Sequence, residues 1–114
     1  MSMRNSLVRF LGGKTQIFTG TVASAGVVIS NQSGDQIDRA DVTSAATATG
    51  VRTLTIKNVK GTKIVVMATA ETISVFASRT SASISSGGAT VVIKTEDDTS
   101  AATNSAFDYL ILTF

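Results

Sequence analysis

Cysteine, proline, histidine and tryptophan are all absent from this 114-residue chain. Without cysteine there are no disulfides and no thiolate metal sites, and composition says nothing of the redox compartment. Without cysteine and histidine, the Ser–His and Cys–His arrangements of nucleophilic catalysis are excluded. A Ser–Lys pair survives composition alone, yet no Ser-x-x-Lys spacing occurs anywhere. Without proline, edge strands need some other protection, such as charge, bulges or partner chains. Aromatics are few, five Phe and one Tyr, so the exposed rings on which sugar sites usually rely are scarce. Charge is thin too: Asp, Glu, Lys and Arg make 16% of the residues, for a net +2. That is too weak to imply a specific nucleic-acid partner.

What is present is a β-forming alphabet. Apolar residues make 43% of the chain, mostly Ala, Val and Ile, and 17 Thr with 14 Ser exceed a quarter of it. Thr, Val and Ile are branched at Cβ and fit the pleated surface of a sheet better than a helix. Low charge with positive mean hydropathy argues against disorder despite the Ser and Thr. The length suits one domain over residues 1–114.

No stretch approaches the ~20 apolar residues of a membrane helix. Residues 1–14 carry Arg4, Arg9 and Lys14 without an acid. Their apolar run, Leu7 to Leu11, is broken by Arg9 and falls short of a signal-peptide core. An N-terminal arm or first strand is expected there.

Strand signals recur along the rest. Thr15 to Val22 is anchored by Ile17 and Phe18. Val27 to Ser30 is short and apolar, stopped by the turn-forming Asn31-Gln-Ser-Gly-Asp-Gln36. Thr43 to Gly50, rich in Ala and Thr, reads as a short helix or a loop. Val51 to Val59 sets Leu54 and Ile56 on one face against Thr53, Thr55 and Lys57. Lys60-Gly61-Thr62 reads as a tight hairpin turn into Ile64 to Thr69. Thr72 to Ser78 follows as a strand, then a polar stretch from Ser81 to Ser86 and a turn at Gly87-Gly88. Val91 to Thr95 is a buried-type strand halted by Glu96-Asp-Asp98, and a polar linker from residue 99 leads into the terminal strand. The expected fold is all-β: an antiparallel β-sandwich, jelly-roll-like, of about seven or eight short strands.

The terminal segment is the most distinctive. Phe107, Tyr109 and Ile111 fall on one face of an extended strand, and Leu110, Leu112 and Phe114 on the other. A strand apolar on both faces must be covered on both. These six residues are the expected interface, covered at least partly by another chain.

Sites of other kinds read as ordinary structure. Gly12-Gly13-Lys14-Thr15 resembles the end of a phosphate loop, but Val8 stands where the first glycine belongs. Glu96-Asp97-Asp98, with Asp35, Asp38 or Asp41, offers carboxylates to calcium without a recognised loop spacing; a solvated turn is expected. Asp108, inside the apolar strand, either faces solvent or pairs with Arg52 or Arg79. Arg52, Lys57, Lys60 and Lys63 gather around the expected hairpin and read as edge protection. Asn31-Gln-Ser33 is a glycosylation sequon that reads as a turn. No catalytic residue, metal site or cofactor is expected, and an enzyme is disfavoured.

From Ser74 to Phe114 the chain resembles small β-structured virion proteins of tailed bacteriophages, among them head decoration or cement proteins and tail or fibre components. The likeness lies in Asp97-Asp-Thr-Ser-Ala-Ala-Thr-Asn-Ser-Ala-Phe-Asp-Tyr-Leu-Ile-Leu112, a polar linker running into an aromatic–aliphatic final strand. It covers about a third of the chain and is compositional as much as motif-like, an analogy of fold rather than of site. It implies a virion structural protein that associates with itself, as a trimer or another symmetric assembly, and with other virion proteins. A receptor- or glycan-binding fibre module is the alternative.

Overall fold

The computed structural model describes residues 15–26, 29–34 and 42–114. The N-terminal arm, the Gly12-Gly13-Lys14 turn, and Asp35, Asp38 and Asp41 lie outside these. Eight strands form: β1 (Gln16–Val22), β2 (Ile29–Gly34), β3 (Val42–Ala48), β4 (Val51–Ile56), β5 (Ile64–Ala70), β6 (Val75–Ser85), β7 (Gly88–Asp97) and β8 (Phe107–Thr113). They make two antiparallel four-stranded sheets, sheet A in the order β2-β1-β8-β5 and sheet B in the order β3-β4-β7-β6. No described helix is long and apolar enough to cross a membrane.

The sheets pack as the expected sandwich. Phe18, Val22, Phe107, Tyr109 and Ile111 of sheet A meet Val42, Leu54, Ile56, Ala89, Val91 and Ile93 of sheet B in a single core. The first and last described strands lie side by side, while β1–β2, β3–β4 and β6–β7 are hairpins within one sheet.

Several expectations need correction. Asn31 to Gly34 does not stop β2 but belongs to it, because pairing with β1 supplies its backbone partners. Thr43 to Ala48 is a strand, closed onto β4 by a turn at Thr49–Gly50 in which Gly50 takes φ +68°. Ser81 to Ser85 continues β6. A bulge between Arg79 and Ser81 shifts the inward positions from Val75 and Ala77 to Ala82 and Ile84, so one small apolar row still faces the core. Ile73 precedes this strand and is 91% exposed.

Lys60-Gly61-Thr62 is not a hairpin turn, since β4 and β5 lie in different sheets. The segment crosses between them, and Gly61 does not use positive φ. Its function is close approach: a Cβ there would sit 2.6 Å from the Phe114 backbone. Phe114 O accepts from the amides of Thr62 and Lys63, which ties the end of β8 to the crossover.

Candidate interaction surface

β8 is one of the two inner strands of its sheet, flanked by β1 and β5 over its whole length. Its two faces therefore meet different surroundings. Phe107, Tyr109 and Ile111 are buried in the chain's own core. Gly20 lies opposite Tyr109 on β1, and a Cβ at Gly20 would come within 2.6 Å of the phenol oxygen, so the missing side chain makes room for the ring. Of the six residues expected at an interface, these three are covered by sheet B. Leu110, Leu112 and Phe114 point outward, Leu110 39% and Phe114 42% exposed.

Residues paired across antiparallel strands share a face, so the ladder shows what joins them. Ile17, Leu112 and Val65 form one outer row, and Thr19, Leu110 and Met67 the next. Met67 is 62% and Val65 45% exposed. Below them Lys63 pairs with Phe114 through reciprocal backbone bonds. Above them Thr21, Asp108 and Thr69 form a polar row. The outer face of sheet A is thus apolar in the middle and charged at both ends. The outer face of sheet B differs: its rows are Thr53, Val92 and Ser81, then Thr55, Thr90 and Ser83. The exposed apolar residues of sheet A adjoin one another, whereas on sheet B Phe76, 63% exposed, stands alone opposite Glu96, and Ile73 lies in the β5–β6 connection.

Asp108 faces solvent and accepts a hydrogen bond from the Thr21 hydroxyl at 2.6 Å. Glu71 stands within hydrogen-bonding reach of it, and desolvation followed by the charge of Asp108 pushes the Glu71 carboxyl above the usual glutamate range. Two carboxylates so placed repel each other and favour a cation nearby.

The basic cluster separates. Lys57, Lys60 and Lys63 remain exposed at one end of the sandwich, while Arg52 is 2% exposed at the other. Its position two residues before Leu54 puts it on the inward face of β4. Its Nη1 donates to the carbonyls of Ala48 and Val51, and its Nη2 to Ser24 O and Asn104 Oδ1. Gly26 covers the Nε, with φ +84° and no room for a Cβ. Asn104 Oδ1 also accepts from the Gly50 amide, and Thr95 is bonded through its hydroxyl and carbonyl to Thr103. The polar linker is therefore bound down over the end of sheet B.

The acidic turn is held by its own backbone. Asp97 Oδ1 accepts from the Thr99 hydroxyl and from the amides of Ala101 and Thr99, in that order lowering its carboxyl below the usual aspartate range. A depressed folded-state pKa means stability that is full above the ordinary aspartate range and lost as pH falls through the depressed value. Asp97→Ala is accordingly expected to lower the melting temperature at neutral pH, with the gap closing in strong acid. Thermal melts across that range check it; a gap independent of pH would mean the charge contributes nothing.

A concavity of about 460 Å³ opens at the basic end, lined by Lys57, Asn58, Thr55, Ser83, Ser85 and Ser86 among others. Sequence reasoning missed it, because its two walls are 25 residues or more apart in the chain. Among the described residues no group of three His, Cys, Asp or Glu stands close enough to hold a metal ion. Comparison with protein-family models, curated proteins and solved structures finds no match to this chain.

Proposed function

We propose that this protein is a structural, self-associating β subunit of a virion, a capsid decoration or cement protein or a tail accessory component. The apolar outer face of sheet A carries the reading. Val65, Met67, Leu110, Leu112 and Phe114 form one contiguous patch on a small domain whose other sheet face is hydroxyl-rich apart from the lone Phe76. Contiguous exposed apolar surface marks a place for a partner. The strand edges point the same way. The pairings of the edge strands β2, β3 and β6 contain register shifts, which blunt an edge. That of β5, the edge beside the patch, contains none. Virion placement rests on the resemblance of the linker and terminal strand to phage virion proteins. Mass spectrometry of purified virions tests it: the chain is expected as a stoichiometric component, and its absence would overturn the placement.

The 460 Å³ pocket favours a second reading, a glycan-binding module. Its volume lies in the range of small-ligand sites, and Lys57 with the surrounding hydroxyls suits an anionic saccharide. Retention of an acidic glycan on an array, lost in Lys57→Ala, would favour that reading over a purely structural one.

A further inference from the structure

The described charges divide by end. Glu71, Glu96, Asp97, Asp98 and Asp108 lie where β8 begins, and Lys57, Lys60 and Lys63 lie where it finishes. The cations at the acidic end are engaged: Lys94 pairs with Glu96 at 3.0 Å, and Arg52 is buried among its acceptors. Arg79 lies on the opposite sheet.

On the outer face of sheet A this division acquires a centre. Lys63 and Glu71 stand four residues to either side of Met67, roughly 13 Å along the strand in each direction. Met67 pairs with Leu110, and both are exposed. The pattern is basic end, apolar middle, acidic end. Turned by 180° about the middle, it becomes its own complement.

We propose that two copies of this chain pair through the outer faces of sheet A, about a two-fold axis through the Met67–Leu110 pair. The Glu71–Asp108 end of each copy then lies over the Lys63 end of the other. The inference rests on the self-association proposed above and supplies its geometry. A two-fold contact is isologous, so one self-complementary patch is sufficient. Two sheet faces pack with their strands within about 30° of alignment, which keeps opposite ends in register. Apolar rows meet in the centre, where Met67 and Val65 are most exposed, and charges stay at the solvated rim, where they fix orientation more than affinity. The Lys63 ammonium of the partner also relieves the repulsion between Glu71 and Asp108. Three strands at ~4.8 Å spacing and seven residues at ~3.3 Å give a face of roughly 14 by 23 Å. That is the size of the largest patch on a typical monomer and below that of a standard interface, so the dimer is a modest, reversible one.

Sedimentation velocity on the full chain, from about 1 μM to about 1 mM, reads the association. Lys63→Glu and Glu71→Lys are surface changes, verified as folded by circular dichroism. Each alone is expected to weaken the dimer about three- to tenfold at low salt, and the double variant to recover most of that loss. Met67→Glu is expected to abolish pairing. A dimer that survives Met67→Glu, or that dissociates instead with Ile73→Ser or Phe76→Ser, would overturn this geometry and leave self-association standing. Association that salt disrupts but Met67→Glu does not would mean end-to-end stacking, and overturns it too. A monomer throughout the concentration range would overturn both this geometry and the self-association beneath it.

Discussion

Arg52→Ala is expected to lower the unfolding free energy by about 3 kcal/mol, at the lower end of what removal of one partner from a buried charged network costs. Four acceptors lose a charged donor at once: the carbonyls of Ser24, Ala48 and Val51, and the Asn104 amide oxygen, which keeps only the Gly50 amide. Charged hydrogen bonds contribute about 1.5–3 kcal/mol each when made, and an orphaned buried acceptor costs about 1–3 kcal/mol. Simple addition would exceed the stability of a small domain, so the geometry must decide the figure. A concavity of about 250 Å³ beside Arg52, bordered by Ala25, Ala46, Thr47, Ala48, Thr49 and Asn104, lets water reach part of the vacated site. Hydration of two or three of the acceptors brings the cost down to the value given. Arg52→Lys keeps the charge but replaces a planar fork with a single ammonium, which cannot reach acceptors on three separate segments. It is expected to recover less than half of the loss. Urea denaturation of the two variants measures this; a loss under about 1 kcal/mol for Arg52→Ala would mean water replaces the guanidinium fully.

The signal for that arginine was present in the chain. Arg52, Leu54 and Ile56 share one parity, and the same alternation that set Leu54 and Ile56 inward sets Arg52 inward as well. Charge clustering with Lys57, Lys60 and Lys63 obscured it, because proximity in sequence is weaker than strand parity in fixing where a side chain points. Strands β4, β5 and β8 were legible for the converse reason: their branched and aliphatic runs alternate or stay apolar over six residues or more. Of β7 only the middle, Val91 to Thr95, was legible, since Gly88 read as a turn and Glu96-Asp97 as a stop while the strand includes both. β3 was not, since its alanines are disfavoured in strands and offset the preference of its threonines, and the pairing with β4 is what makes it a strand. The polar half of β6 was hidden by a bulge, which inverts parity mid-strand and makes an inward Ala82 and Ile84 look out of phase. The Gly61 segment looked like a hairpin because turn chemistry says where a chain bends but not which sheet it enters next. The outer patch was half legible. Leu110, Leu112 and Phe114 follow from alternation in one strand, but Ile17, Val65 and Met67 join them only through a register between segments more than 40 residues apart.

Phe107→Ala, on the inner face of β8, is expected to cost about 3–5 kcal/mol, the range for deleting a fully buried phenylalanine from a core. Phe107 is fully buried and lies in the row of Val22 and Ala70, at the end of the core nearest the Arg52 network. The residual cavity would border two strands held on both sides by backbone pairing, so collapse is limited and the upper half of the range applies. Leu110→Ser, three residues on and on the outer face, is expected to change monomer stability by less than about 1 kcal/mol, since solvent already reaches the side chain. Its effect should appear in association instead. The contrast matters because deleting the whole strand cannot separate the two roles. Removing Phe107 to Phe114 strips β1 and β5 of their shared neighbour and unfolds sheet A whether or not a second copy ever binds. Substitutions at alternate positions of one strand divide the question that truncation merges. Phe107→Ala reports how β8 closes its own sandwich, and Leu110→Ser reports whether its other face meets another chain. Denaturant melts with sedimentation of both variants check the pair; equal effects on stability and association from the two positions would mean that the strand's faces are not divided in this way.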